Sequence, residues 1–173
     1  MNVIELMNEA WEDRCNLSHE QNEISFKNLL SHGYVAMEKA YNSTVKDYGD
    51  TLFYCIQRIL VWLMLADGDF LQGEYDAYLK YCKWANFQPL TVDDCYALFN
   101  RMTRDDIMSC INHVTATRGH IDESDYRAFV RSLCFMSLFG DKELDKGEYT
   151  LISFFFNRSS DYSPDWETFK REW

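Results

Sequence analysis

Glycine and proline are scarce in this chain, with only 7 Gly and 2 Pro among 173 residues. β-Sandwiches and barrels need many tight turns, and tight turns draw on these two residues. Disorder is also excluded, because 47% of the residues are hydrophobic and 16% are aromatic, which is ample material for a core. The composition therefore predicts an all-α protein that folds as a single globular unit.

Basic residues are in the minority, since the chain has 17 Lys and Arg but 28 Asp and Glu. Its formal net charge is −11 and its pI is about 4.7. Such a surface repels phosphate backbones, which argues against nucleic acid as a direct partner. Metal cations and basic protein surfaces are the partners that this charge favours. Acidity that serves only to keep the protein soluble is an equally good explanation.

Clustered cysteines are absent, although the chain has six of them. None forms a C-x-x-C pair, so a zinc site is not expected, and a disulfide framework is unusual in a chain with a good core. We expect reduced, mostly buried thiols in a cytoplasmic protein, at Cys15, Cys55, Cys82, Cys95, Cys110 and Cys134.

Long apolar runs are absent as well. The most apolar stretch, at 59–66, has eight residues, whereas a membrane-spanning helix needs about twenty. The first residues, MNVIELMNEAWEDRC, lack the basic start and apolar run of a signal peptide. The sequence therefore predicts no transmembrane segment and a buried core helix at 59–66.

Apolar residues recur at helical spacing through most of the chain, which predicts a compact bundle of about eight or nine helices and no strand. A polar connection at 16–23 is expected to precede a helix at 24–48, which Gly33 is expected to weaken or divide. Thr91 and Thr103, each followed three residues later by Asp, are predicted helix N-caps. Other helices are predicted near both chain ends and at 51–66, 72–85, 91–100, 103–117, 122–140 and 146–157.

Two segments match without a gap, LADGDFLQGEY at 65–75 and FGDKELDKGEY at 139–149. Asp, Gly, Glu and Tyr are identical at four aligned positions, and each segment joins two predicted helices through an acidic turn. An internal duplication accounts for the shared spacing and helical context. It predicts a duplicated helical domain at 51–173, on which an N-terminal helical extension at 1–50 packs.

The two acidic turns supply candidate ligands for a hard divalent cation such as Ca²⁺, Mg²⁺ or Mn²⁺, since these ions take several oxygen ligands. Alternatively, the glutamates serve as favourable charges at helix N-termini and the aspartates as turn formers, and both roles can hold together. An EF-hand is excluded, because its first and third loop positions would fall on Leu63 and Leu65. The candidate metal ligands are Asp67, Asp69, Glu74, Asp141, Glu143 and Glu148.

An apolar helix that ends in A-D-G-D, followed by G-E-Y at the start of another helix, resembles the tellurite-resistance TerB-like family. The resemblance covers roughly 51–156 and is strongest in LMLADGDFLQGEYDAYLKY. It implies an all-helical fold with internal pseudo-symmetry, an acidic cation-binding site at each turn, and links to metal-ion stress and membrane-associated stress complexes. Lys142 stands where the first copy has Gly68, and a lysine beside the ligands weakens the attraction of the second site for a cation.

No glycine-rich phosphate loop, nucleophile elbow or Cys–His–acid arrangement is present in the sequence, so we expect a protein that is not an enzyme. The leading hypothesis is a cation-binding stress-response module that docks onto a protein partner, and that reaches a membrane-associated complex only through that partner. One alternative is a purely structural helical interaction scaffold without metal. Another is a metal-dependent hydrolase, which requires the two acidic turns to meet beside a base.

Overall fold

The structure, a computed structural model, describes residues 19–44, 51–65 and 72–140. These residues form six α-helices and one short 3-10 helix, with no strand among them. The predicted all-α class is therefore confirmed, whereas the helices expected near the two chain ends lie outside the described residues. The helices are α1 (His19–Thr44), α2 (Leu52–Leu65), α3 (Gln72–Ala85), α4 (Val92–Arg101), α5 (Arg104–Thr115), the 3-10 helix (Arg118–His120) and α6 (Glu123–Gly140).

Helix α1 begins inside the stretch that the sequence predicts to be a polar connection. That prediction is wrong from His19 onwards, because the helix already covers Glu20 and Gln21, whose side chains are exposed. Glu and Gln have good helix propensity, but an exposed first turn without apolar residues shows no periodicity. Apolar periodicity therefore locates the buried part of α1 and misses its solvated start.

Helix α2 lies at the centre of the described fold. Nine of its 14 residues are buried, as expected for a helix that is apolar on nearly every side. It packs chiefly against α5 and α4. The buried residues of α1 belong to the same core as those of α2, and they are Phe26, Leu30, Tyr34, Met37, Ala40 and Tyr41.

The most extensive helix–helix packing in the described residues joins α1 and α6, and Gly33 lies where they cross. A Cβ atom at this position would stand 2.7 Å from the carbonyl carbon of Ala128 and from Cα of Phe129. Helix α1 runs without a break through Gly33, so the expected division of this helix does not occur. The glycine instead permits the backbones of two helices to approach more closely than any side chain would allow.

The loop between α3 and α4 is held by its own backbone and by two tyrosines. Asn86 adopts a φ of 60°, and the N–H of Phe87 donates to the carbonyl of Cys82 at 2.7 Å, which is a helix C-cap of the Schellman type. Both main-chain polar groups of Leu90 are hydrogen-bonded to tyrosine hydroxyls. The Leu90 N–H donates to the Tyr78 hydroxyl, and the Tyr75 hydroxyl donates to the Leu90 carbonyl, each at 2.9 Å.

Threonine caps open α4 and α5, as the sequence predicts. The Thr91 hydroxyl accepts from the N–H of Asp94 at 3.2 Å. Thr103 and Asp106 form a reciprocal capping box, in which Asp106 takes the place more often held by Glu. These local hydrogen bonds determine where α4 and α5 begin, so the first residue of each helix can be predicted from the sequence.

Candidate functional site

The acidic corner between α2 and α3 is represented in the described residues by Glu74 alone. Glu74 lies in the first turn of α3, and only 3% of its surface is exposed. A carboxylate there interacts favourably with the positive end of the helix dipole, whether or not a cation also binds. The other predicted metal ligands, at the two corners, lie outside the described residues; they are Asp67, Asp69, Asp141, Glu143 and Glu148.

No group of three or more His, Cys, Asp or Glu side chains within 19–44, 51–65 and 72–140 is arranged to hold a metal ion. The predicted cation sites depend on residues on both sides of each corner. The convergence of the two acidic turns that a two-metal hydrolase requires therefore remains a prediction.

A groove runs along α1, the start of α2 and the α3–α4 loop, and it encloses a cavity of about 540 Å³. Four of its eleven lining residues are aromatic. The Phe87 ring lies 4.5 Å from that of Phe53 and 5.1 Å from that of Tyr34, centroid to centroid, in edge-on arrangements. We call this surface the aromatic groove; it is lined by Leu30, Ser31, Tyr34, Val35, Glu38, Phe53, Trp84, Ala85, Asn86, Phe87 and Gln88.

Exposed residues of α1 form one edge of the aromatic groove. Val35 is 61% exposed, and Glu38 lies one turn further along. Burial, together with the nearby Glu38 carboxylate, raises the pKa of Tyr34 far above its ordinary value. The Tyr34 hydroxyl is therefore neutral at every physiological pH, and Glu38 supplies the negative charge of the groove.

A second cluster of reactive side chains is buried where α1, α2 and α5 meet. The Tyr41 hydroxyl lies 3.7 Å from the sulfur of Cys55, and both residues are almost fully buried. Hydrogen bonding from Cys110, and then from Tyr41 and His113, outweighs the effect of burial and lowers the pKa of the Cys55 thiol to about 7. We call these four residues the thiol cluster.

Two other cysteines, Cys82 and Cys95, provide an internal comparison. Cys82 and Cys95 are also buried, but burial raises the pKa of each thiol to about 11. The predicted burial is confirmed for Cys55, Cys82, Cys95 and Cys110, whereas their reduced state stays a prediction. Sequence spacing could not reveal the difference between the pairs, because Cys55 and Cys110 are 55 residues apart and meet only through the packing of α2 on α5.

Comparisons of the chain with protein-family models, with curated proteins and with solved structures find no match. The resemblance to the TerB-like family therefore rests on the motif residues in the sequence. In the part of the chain that the structure describes, no helix has both the length and the apolar character needed to cross a membrane.

Proposed function

We propose that this protein is a non-enzymatic helical interaction module, related to the TerB-like proteins, whose aromatic groove binds an apolar and basic segment of a partner protein. The observation that carries this proposal is the aromatic groove itself, an open cavity with four aromatic rings in its lining and Glu38 at its edge. The cytoplasmic setting and the role in stress response are proposals that follow from the resemblance of the acidic motif.

The apolar part of the proposal depends on the size and rigidity of the groove. A cavity of about 540 Å³ is within the range of about 300–1,000 Å³ that is usual for ligand sites. The Schellman cap at Asn86 and the ring contacts of Phe87 hold one wall in place, which lowers the ordering cost when a ligand binds. A leucine or aromatic side chain of the partner fits such a site, because it covers apolar surface without demanding new hydrogen bonds.

The basic part of the proposal depends on charge. Glu38 is exposed at the groove edge, and the whole chain has a net charge of −11. A lysine or arginine next to the apolar anchor of the partner would approach Glu38 and be steered by the field of the protein. An acidic segment of the same shape would be repelled.

The experiment uses two labelled amphipathic peptides, each with two leucines one helical turn apart. Lysines flank the leucines in one peptide and glutamates flank them in the other. We expect the full chain to bind the lysine peptide and Glu38→Lys to weaken that binding by about tenfold, because about 1.4 kcal/mol of charge interaction is a factor of ten. Fluorescence anisotropy at low and high salt measures both affinities.

The matched control for this charge reversal is Asp76→Lys, which changes an exposed carboxylate of α3 that does not line the groove. We expect it to lower the affinity for the lysine peptide by less than about threefold, through net charge alone. Equal binding of the two peptides, or equal effects of the two substitutions, would contradict the proposed groove specificity.

The acidic corners support a second proposal, binding of a divalent cation, which Glu74 favours. A carboxylate that is almost fully removed from water gains more from a nearby positive charge than an exposed one does. Calorimetric titration of the full chain with Ca²⁺, Mg²⁺ or Mn²⁺ is expected to give saturable heat. Substitution of Asp67 by Asn together with Glu74 by Gln should remove most of that heat, because Mg²⁺ and Ca²⁺ sites depend on carboxylate ligands.

The control for the cation titration is the double substitution Asp93→Asn and Asp94→Asn, which neutralises two exposed acids in the first turn of α4. It should leave the heat unchanged. The cation proposal fails if the unmodified chain shows neither heat nor a rise in melting temperature with any of the three ions. In that case the interaction scaffold without metal is the better description.

A further inference from the structure

The thiol cluster has features that neither core packing nor the aromatic groove requires. Cys55 on α2 and Cys110 on α5 are thiols in neighbouring helices, with 0% and 4% of their surface exposed. The Tyr41 hydroxyl lies 3.7 Å from the Cys55 sulfur, and Cys110 and His113 are hydrogen-bonding neighbours of the same sulfur. A core needs only apolar volume at such a place, whereas here three polar groups converge on one thiol.

We propose that Cys55 and Cys110 form a dithiol site that a small peroxide converts reversibly into a disulfide, with His113 and Tyr41 as the groups that stabilise the Cys55 thiolate. The thiolate is the nucleophilic form of cysteine, and neighbouring donors or cations favour it. His113 is the most exposed member of the cluster, since it is half-buried and follows the exposed Asn112 on α5. The site is therefore one side chain below the surface.

The chemistry of the site balances with hydrogen peroxide as the oxidant. The Cys55 thiolate attacks one peroxide oxygen, the O–O bond breaks, and the hydroxide that leaves takes up a proton to become water. The Cys110 sulfur then attacks the sulfur of the Cys55 sulfenic acid, the S–O bond breaks, and a second water leaves with the Cys110 proton. Two thiols lose two electrons in total, and one peroxide is reduced to two waters.

The thiolate that starts this sequence is available near neutral pH. Donors around Cys55 lower the pKa of its thiol to about 7, whereas burial raises the pKa values of Cys82 and Cys95 to about 11. Cys55 therefore loses its proton at a lower pH than Cys82 and Cys95 do. Cys82 and Cys95 are a matched internal control, because they are as buried as Cys55 but their pKa values are shifted in the opposite direction.

The test is peptide mapping of the full chain after treatment with hydrogen peroxide, blocking of the remaining thiols and digestion with trypsin. Oxidation at the proposed site joins peptide 47–58 to peptide 105–118, whereas oxidation of the control pair joins 81–83 to 84–101. We expect the first product to exceed the second by at least about tenfold, and to revert when a thiol reductant is added. Equal yields of the two products, or pairing of Cys55 with Cys15 or Cys134, would overturn the proposal.

Variants separate the proposed roles. With Cys110→Ser, Cys55 should accumulate as sulfenic acid that dimedone traps, whereas Cys82→Ser should leave the first product unchanged. With His113→Gln, the midpoint of the pH profile for alkylation of Cys55 should move upwards, which a purely packing role for His113 would not cause. The peptide map of the unmodified chain decides the proposal even if a variant fails to fold, and it is independent of partner binding in the aromatic groove.

Discussion

The substitution Gly33→Ala is expected to lower the free energy of unfolding by about 2–3 kcal/mol. A Cβ atom at residue 33 would lie 2.7 Å from the carbonyl carbon of Ala128, and the contacted atoms are backbone atoms that cannot rotate away. Overpacking typically costs about 1–3 kcal/mol and occasionally more, and a clash with backbone atoms belongs at the top of that range or just above it, at about 3–4 kcal/mol. The gain of about 1 kcal/mol in helix propensity from Gly to Ala offsets only part of a severe backbone clash. Urea denaturation and thermal melting, with an expected fall in melting temperature of about 5–10 °C, measure the effect.

The control for Gly33→Ala is Gly119→Ala, in the 3-10 turn between α5 and α6. A Cβ atom at residue 119 would meet nothing within 4 Å. The change in stability should therefore be within about 0.5 kcal/mol. If Gly33→Ala and Gly119→Ala had the same effect, the close crossing of α1 and α6 would not be the reason for glycine at residue 33.

The substitution Tyr81→Ala is expected to cost about 3–5 kcal/mol, the range for removing a large aromatic side chain from a core. Tyr81 is fully buried, and its ring lies 6.1 Å from that of Phe26 and 6.5 Å from that of Phe87. Removing it would leave a cavity between α1 and α3 that rigid helices fill only in part. Denaturant unfolding followed by far-ultraviolet circular dichroism measures the loss.

The control Tyr81→Phe keeps the ring and removes only the hydroxyl, whose contact with the Ser132 hydroxyl is long at 3.5 Å. At pH 7 it should cost about 1 kcal/mol or less. Burial raises the pKa of Tyr81 above its value of about 10 in the unfolded chain. The uncharged phenol of Tyr81 therefore stabilises the folded state fully below pH 10, and this stabilisation is lost as the pH rises further. Tyr81→Phe should therefore lose less stability than the unmodified chain between pH 9 and 11; an equal loss would contradict burial as the cause.

Much of the described fold can be predicted from the sequence, because the residues that determine where its helices lie are close to one another in the chain. Apolar spacing predicted α2 and α3 to within a residue or two, and the Thr–Asp pairs predicted where α4 and α5 begin. The close approach at Gly33 was not predictable, because the reason for that glycine lies on α6, nearly a hundred residues further along the chain. Helix propensity alone treats such a glycine as a weak point.

The candidate sites show the same division between local and distant causes. The acidic corner was found because its residues are neighbours in sequence, although only Glu74 belongs to the described residues. The aromatic groove and the thiol cluster each draw side chains from three separate elements, so no spacing rule could assemble them. One usable signal was present, since Asn86 directly after a helix favours a left-handed cap and thereby directs Phe87 back towards the core.

The bonding of Leu90 has a consequence for how this chain can vary. Tyr75 and Tyr78 bond the main-chain carbonyl and N–H of Leu90, not its side chain. These two bonds therefore place one requirement on residue 90, that it is not proline, which has no N–H. The Leu90 side chain packs against the core and favours an apolar residue there, whereas the two bonds require the hydroxyls of Tyr75 and Tyr78.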